Sequence, residues 1–275
     1  MGNGIAQVCA MAGYRVVLHD PQPDAVARAL GTIRANLDKG VERGKVTAEA
    51  RESALANLRD EAHVDAAAST ADLVIEAVPE RMDIKTSLFD QLHRSAPPHA
   101  ILATNTSSLS ISRIAEATGR PDRVIGLHFF NPVHIMKLLE VVRGRETSVE
   151  TLDAALDFAR RIGKEPIVVT DTPGFASSRL GVILGLEAMR MVEQGVASPQ
   201  DIDKAMELGY NHPMGPLKLT DLVGLDVRLG IADYLHGELG GDQYRAPDLL
   251  RSMVAEGKLG KKSGQGFYDW TQEGR

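Results

Sequence analysis

The chain has 275 residues, of which 43% are hydrophobic and 25% charged, a composition typical of a folded globular protein with room for two domains. A net charge of −6 excludes the basic surplus that nucleic-acid binding needs, and a single cysteine, Cys9, excludes an intrachain disulfide or a thiolate metal cluster. The longest apolar runs, at 73–78 and 124–130, are too short to cross a bilayer and no basic leader opens the sequence, so we expect a cytoplasmic protein without nucleic-acid, membrane or metal partners.

The first residues predict a helix and then a short strand. Apolar side chains recur at the three-and-four spacing of one helical face from Ile5 to Ala12, and Gly13 can end that helix. Residues 14–18 are β-branched and aromatic enough for a buried strand that ends at Asp20.

The following segments predict an α/β domain over residues 1–170. Residues 24–43 and 47–58 form a helical hairpin joined at Gly44. After it, apolar runs alternate with helical patterns, with strands at 72–78, 100–104, 124–129, 138–142 and 167–169 and helices at 84–93, 110–117 and 149–162. Such alternation predicts a mostly parallel sheet with crossover helices.

Residues 171–275 predict an all-α domain. Apolar stripes run through 180–192 and 222–235, and Gly-Pro turns punctuate them near Pro213 and Pro216. A helical domain of this size has no evident need for so much apolar surface unless part of it meets a second chain. We therefore expect a homodimer.

Gly2-Asn3-Gly4 heads the first helix, and Asp20 follows the first strand 18 residues after Gly2. In dinucleotide-binding units, glycines let the backbone approach a pyrophosphate at the helix N-terminus, and an acid about 20 residues on binds the ribose hydroxyls. Only the tail of that fingerprint is present, so a Gly-rich start followed by an Asp-Pro turn is the alternative.

Five consecutive hydrogen-bonding side chains, residues 104–108, lie between a predicted strand and a predicted helix. The carboxyl ends of parallel strands are where open α/β sheets place ligand groups. Each residue taken alone, such as Asn105 or Ser107, is equally typical of a helix N-cap, although one cap does not require five such residues.

His128 lies near the end of the apolar strand predicted at 124–129, and Glu140 lies twelve residues later in the next predicted strand. A strand, a turn and a strand can bring the two side chains together. A neutral imidazole beside a carboxylate can act as a general base near pH 7. The alternative is a core histidine and an unrelated surface glutamate.

Glu80 and Lys85 follow the strand at 72–78 and can bracket a polar ligand at the sheet edge. Alternatively, Glu80 lies in the first turn of a helix, where the macrodipole favours an acid, and Lys85 lies on its solvated face. Basic residues also cluster on the helical hairpin, where they suit a phosphate-bearing ligand or a solvated face (Arg34, Lys39, Arg43, Lys45).

Residues 105–108 read Asn-Thr-Ser-Ser, residues 126–132 read Gly-Leu-His-Phe-Phe-Asn-Pro, and residues 171–175 read Asp-Thr-Pro-Gly-Phe. In that order these strings resemble the L-3-hydroxyacyl-CoA dehydrogenase family, close to its members that act on 3-hydroxybutyryl-CoA. The resemblance extends over essentially the whole chain. It implies NAD-dependent oxidation of the C3 hydroxyl of a short-chain (S)-3-hydroxyacyl-CoA, in a Rossmann-like domain followed by a helical dimerisation domain.

The resemblance also implies roles for individual residues. His128 takes the hydroxyl proton, Glu140 orients and supports His128, and Ser107 hydrogen-bonds the reacting oxygen. The cofactor side is formed by Gly2, Asp20, Glu80, Lys85 and Asn105, and the CoA moiety meets the hairpin residues Asn36, Lys39 and Arg43.

Two departures from the family pattern are visible. The family has an active-site asparagine before the arginine that follows Pro-Gly-Phe, whereas this chain has Ser178. Family members also carry a strand and a Gly-x-Gly loop ahead of the glycine that matches Gly2, so we expect the first, central strand of the sheet to be missing, through a misassigned start codon or a real truncation.

Two other functions remain open from the sequence. One is a non-catalytic protein that binds an acyl-CoA or a dinucleotide, since the glycine loop is incomplete. The other is a dehydrogenase of a small free hydroxy acid on the same fold.

Overall fold

The computed structural model describes residues 1–22 and 24–271. The chain divides into two compact units, Met1–Asp171 and Thr172–Arg275, one residue later than the predicted boundary. Asp171 belongs to the first unit because its carboxylate accepts hydrogen bonds from Ser110 Oγ, Ile111 N and Ser112 N there.

The first unit alternates helices and strands as the sequence predicts. Its elements are α1 (Gly2–Met11), β1 (Val16–Leu18), α2 (Ala25–Glu42), α3 (Ala48–Ala56), β2 (Leu58–Asp60), α4 (Val64–Ala68), β3 (Leu73–Glu76), α5 (Met82–Ser95), β4 (Ile101–Thr104), α6 (Ile111–Ala115), β5 (Val124–Phe129), β6 (Leu138–Arg143), α7 (Val149–Arg161) and β7 (Glu165–Thr170). Leu58, which we expected to end a helix, instead opens β2. The sequence analysis also missed the short helix α4.

The strands form a parallel pair, β1–β2, and a five-stranded sheet in the order β3-β4-β5-β6-β7. Every neighbouring pair is parallel except β5 and β6, which are antiparallel. The fold is thus the expected Rossmann-like, mostly parallel arrangement. Among the described residues no ladder joins the two sheets.

The core of this unit lies around β5, whose six residues are all buried. Ile125, Leu127 and Phe129 pack with β6 residues such as Val141 and with Phe158 of α7. A strand covered on both faces needs apolar side chains at consecutive positions, which explains why β5 is apolar apart from Gly126 and His128.

The second unit is all-α, as expected, with α8 (Ser177–Glu193), α9 (Pro199–Gly209), α10 (Pro216–Val223), α11 (Leu225–Leu239) and α12 (Asp248–Ala255). Its core includes Leu186, Met189 and Leu235. The buried carboxylate of Asp221 accepts hydrogen bonds from Phe267 N, Tyr268 N and Trp270 Nε1, which secures the segment after α12. In the part of the chain that the structure describes, no helix is long and apolar enough to cross a membrane.

Candidate active site

Most of the predicted site residues of the first unit lie at one edge of the five-stranded sheet. Strands β3, β4 and β5 are parallel and end at this edge, and β6 is antiparallel to β5 and begins there. Topology alone therefore brings Glu80, Ser107, His128 and Glu140 to the carboxyl ends of the parallel strands, where α/β sheets bind ligands.

His128 and Glu140 are register partners on β5 and β6. His128 Nδ1 lies 2.6 Å from Glu140 Oε2, and the two residues are 6% and 0% exposed. The alternative of a surface glutamate is wrong, because Glu140 is completely buried. Since an ionised carboxylate can only accept, Nδ1 donates, and in the neutral ring the lone pair is on Nε2.

The turn that carries Ser107 is held by Glu80. Glu80 Oε1 accepts hydrogen bonds from Thr106 Oγ1 at 2.6 Å, from Ser107 N at 2.8 Å and from Ser108 N at 3.2 Å. The N-cap alternative for residues 104–108 is wrong, because the cap of α6 is Ser110. Thr104, Asn105 and Thr106 instead bond to Glu76, to the backbone of Phe129 and to Glu80 along the sheet edge.

Lys85 has no exposed surface, and its ammonium lies 2.7 Å from Glu76 Oε1 and 3.4 Å from Glu80 Oε2. The solvated-face alternative is therefore wrong. Glu80 also lies ahead of α5, which begins at Met82, and so it is not in the first helical turn.

Asn105 joins the ends of two neighbouring strands. Its Oδ1 accepts a hydrogen bond from Phe129 N at 2.9 Å. Its side-chain oxygen is therefore bound to the backbone of β5, one residue after His128. A contact between Asn105 and a cofactor stays a prediction.

Gly2 begins α1, and Asp20 follows β1 with its carboxylate exposed. A Cβ placed on Gly2 would lie 3.9 Å from Ala77 Cβ, so the N-terminus of α1 lies beside the carboxyl end of β3. A Cβ on Gly4 would lie 2.9 Å from Val133 Cβ, so α1 packs closely on the loop after His128. A helix N-terminus and an exposed carboxylate fit the pyrophosphate and ribose of NAD.

Of the three predicted CoA-side residues, Asn36 and Lys39 lie on α2, and Arg43 is the C-cap residue that follows it. Lys39 and Arg43 are exposed, and Asn36 is half-buried and donates from Nδ2 to Gln7 Oε1 of α1 at 3.2 Å. Ser178 is the second residue of α8 and belongs to the other unit, so its place in the site stays a prediction.

The sequence analysis missed two buried charged residues near the site. Glu76, 3% exposed, accepts from Lys85, and Lys164, 7% exposed, donates to Val133 O and to Met136 O, which hold the loop after His128. Burial lowers the pKa of Lys164. Neither residue belongs to a recognisable motif. The sequence signal that could have found them is a charged residue next to apolar neighbours. Among the described residues no group of three His, Cys, Asp or Glu could hold a metal ion.

Two family models match nearly the whole chain. Residues 1–172 match the NAD binding domain of 3-hydroxyacyl-CoA dehydrogenase, and residues 174–270 match its C-terminal domain. A probable 3-hydroxybutyryl-CoA dehydrogenase of Bacillus subtilis is 47% identical over 273 residues, which cover 99% of this chain and 95% of that protein. The 3-hydroxybutyryl-CoA dehydrogenase of Clostridioides difficile is 43% identical over 99% of this chain and 96% of its own length.

Solved structures show the same likeness. FadB2 of Mycobacterium tuberculosis superposes with a TM-score of 0.95 at 43% identity, covering 98% of this chain and 95% of that one. The (S)-3-hydroxybutyryl-CoA dehydrogenase PaaH1 of Ralstonia eutropha also has a TM-score of 0.95, at 41% identity, with 99% and 96% covered.

Proposed function

The chain belongs to the 3-hydroxyacyl-CoA dehydrogenase family and is an NAD-dependent oxidoreductase, and from this premise we propose that it oxidises the C3 hydroxyl of a short-chain (S)-3-hydroxyacyl-CoA, such as 3-hydroxybutyryl-CoA, to the 3-oxo thioester. The observation that carries the proposal is the buried pair of His128 Nδ1 and Glu140 Oε2, 2.6 Å apart. The pair lies at the sheet edge that also carries the Ser107 turn.

In this proposal His128 is the general base. With Nδ1–H donating to Glu140, the Nε2 lone pair takes the C3 hydroxyl proton as the C3–H bond breaks. The carboxylate of Glu140 stabilises the imidazolium that forms, as an acid does for the histidine of a hydrolytic triad. When bound, NAD supplies the acceptor for the hydride that leaves C3.

Ser107 is proposed to hold the reacting oxygen. A hydroxyl donor aimed at that oxygen stabilises the charge that develops on it, and in the reverse direction it polarises the ketone. The Glu80 carboxylate fixes the backbone of this turn through Ser107 N. Ser178 is proposed to take the place of the family asparagine with a single hydroxyl.

The cofactor side is proposed to consist of the N-terminus of α1 at Gly2, the ribose-binding acid Asp20, and Glu80 and Asn105 around the sheet edge, with the buried Lys85 acting through its ion pair with Glu80. A carboxylate at Asp20 favours NAD over NADP, because it repels a 2′-phosphate. The exposed ammonium of Lys39 and guanidinium of Arg43 suit the phosphates of CoA, and Asn36 lies on the same helix as Lys39.

We also propose a homodimer formed through the helical unit. Large apolar side chains of α8 and α10 are exposed there, among them Leu180 at 64%, Leu184 at 43% and Leu219 at 41%. Leu184 and Leu219 line one cavity, so the two helices present a common apolar surface, which typically marks a protein interface.

A cytoplasmic location is part of the proposal. Cys9, the single cysteine, is a buried free thiol, which is compatible with a reducing compartment. Cell fractionation with an antibody to the chain tests this, and recovery in the periplasmic or secreted fraction would contradict it.

The activity is tested by following NADH at 340 nm with acetoacetyl-CoA, with His128→Gln as the matched inactive control. We expect the wild-type protein to consume NADH and the variant to lose at least about a hundredfold in kcat, as removal of a general base typically does. Turnover of free acetoacetate but not of its CoA thioester would favour a hydroxy-acid dehydrogenase. Binding of NADH without turnover of either would favour a non-catalytic protein.

A further inference from the structure

Glu76, at the last position of β3, carries a carboxylate that is completely satisfied by the protein itself. Oε1 accepts from Lys85 Nζ at 2.7 Å and from Val78 N at 2.7 Å, and Oε2 accepts from Thr104 Oγ1 at 2.6 Å. Its side chain has no exposed surface. A buried carboxylate with three donors of this kind cannot move without losing hydrogen bonds.

Lys85 lies between two carboxylates that differ in their distance from its ammonium and in their exposure to solvent. Its ammonium is 2.7 Å from buried Glu76 and 3.4 Å from Glu80, whose side chain is 39% exposed. A desolvated cation gains most from the closer, buried anion, so Glu76 determines where Lys85 points.

The position of Lys85 in turn determines what Glu80 can do. With Lys85 held by Glu76, Glu80 Oε1 is available to Thr106 Oγ1 and Ser107 N. If Glu76 lost its charge, the ammonium would draw Glu80 toward itself, because a buried ammonium needs an anionic partner. The turn that carries Ser107 would then lose its acceptor.

We propose that Glu76 is a positioning residue for the active site: it holds Lys85, leaves Glu80 bound to the Ser107 turn, and thereby places Ser107 for the reaction. The inference rests on the proposed function for its consequence in catalysis. The structural part, control of the Ser107 turn by Glu76 through Lys85 and Glu80, can be tested without turnover.

The test measures amide hydrogen exchange of the Ser107 turn by mass spectrometry in full-length wild type, Glu76→Gln, and Glu76→Gln combined with Lys85→Met. We expect Glu76→Gln to accelerate exchange at residues 106–108 at least about tenfold. The double variant should return to within about threefold of wild type, because no ammonium remains to draw Glu80 away. Exchange within twofold of wild type in Glu76→Gln, or a double variant as fast as the single one, would overturn the proposal.

Steady-state kinetics give the catalytic readout. We expect Glu76→Gln to lower kcat at least about tenfold with a smaller change in KM for the acyl-CoA, because Ser107 acts on the reacting oxygen. A wild type without turnover would refute the proposed function while leaving the exchange result intact, so the two failures are distinguishable.

Two further variants guard against a purely structural effect. Asp221→Asn neutralises another fully buried, triply bonded carboxylate, in the helical unit, and should leave exchange at 106–108 unchanged. If Glu76→Gln does not fold, Thr104→Val removes one donor to Glu76 at similar volume and should accelerate exchange about threefold. Equal acceleration in Asp221→Asn, or none in Thr104→Val, would contradict the proposal.

Discussion

A buried carboxylate 2.6 Å from Nδ1 of His128 makes the tautomer of the ring depend on one neighbour, Glu140. We expect Glu140→Gln to lower kcat at least about a hundredfold, because an amide can donate to Nδ1 and place the ring proton on Nε2, where a base is needed. The 340 nm assay measures this. Glu165→Gln, which neutralises a carboxylate that is 77% exposed, is the control and should leave activity unchanged. An active Glu140→Gln enzyme would remove the basis for the mechanism.

Ser178 is the residue at which the chain departs from its family. We expect Ser178→Asn to keep activity within about tenfold or to raise it, because the amide restores the family's second donor. The kcat/KM for acetoacetyl-CoA is the measurement. A loss of a hundredfold or more, about 2.7 kcal/mol, would show that the family geometry does not transfer to this position.

The buried thiol of Cys9 makes the free energy of unfolding depend on pH in the alkaline range. Burial raises the pKa of its thiol from 9.0 to about 12, so above pH 9 the folded protein keeps a proton that the unfolded chain has lost. The free energy of unfolding should therefore fall, by about 1 kcal/mol between pH 9 and 10. Urea unfolding at both pH values measures this, and Cys9→Ala, which lacks the thiol, should lose that much less than wild type. Equal losses in both proteins would contradict the expectation.

At the scale of elements, the short helix α6 depends on a residue 60 positions away. Asp171 accepts from Ile111 N and Ser112 N, which would otherwise be unpaired at the start of the helix. We expect Asp171→Ala to cost about 1–3 kcal/mol in the free energy of unfolding, measured with urea.

The matched control for Asp171→Ala is Asp157→Ala on α7, which removes an exposed carboxylate 2.9 Å from Arg160. Such a surface change should stay within about 0.5 kcal/mol. If the two variants were equally stable, the carboxylate of Asp171 would contribute nothing to α6.

At the scale of the whole molecule, the apolar surface of α8 and α10 predicts association. We expect wild type to have about twice the chain mass of 29.7 kDa by light scattering at micromolar concentration. Leu184→Asp combined with Leu219→Asp should shift it to the monomer, because two buried unpaired charges oppose a desolvated interface.

The control for association is Val149→Asp, a residue of the first unit that is 59% exposed at the start of α7. It should leave the mass unchanged. A monomeric wild type, or dissociation caused equally by Val149→Asp, would contradict the proposed dimer surface.

Much of the fold could be predicted because the signals are local. Short, mostly apolar runs predicted β5 and β6, and helical periodicity predicted helices such as α5 and α7 close to their observed bounds. β2 was missed because Leu-Arg-Asp is a strand only through its pairing with β1, which no local pattern reveals.

The amino-acid sequence by itself determined the alternation of elements and the two units, because apolar runs and helical periodicity are local signals. It left two possibilities for His128 and Glu140, and the register of β5 and β6 decided that the two side chains meet. Only the tertiary structure decided the environment of charged side chains. Lys85 has the same sequence signature whether it faces water or Glu76, and the donors to Glu76 come from positions 2, 9 and 28 residues away. The physical reason is that a charge is stabilised by whichever groups packing brings within about 3 Å, and those groups are set by the sheet rather than by the neighbouring residues in the chain.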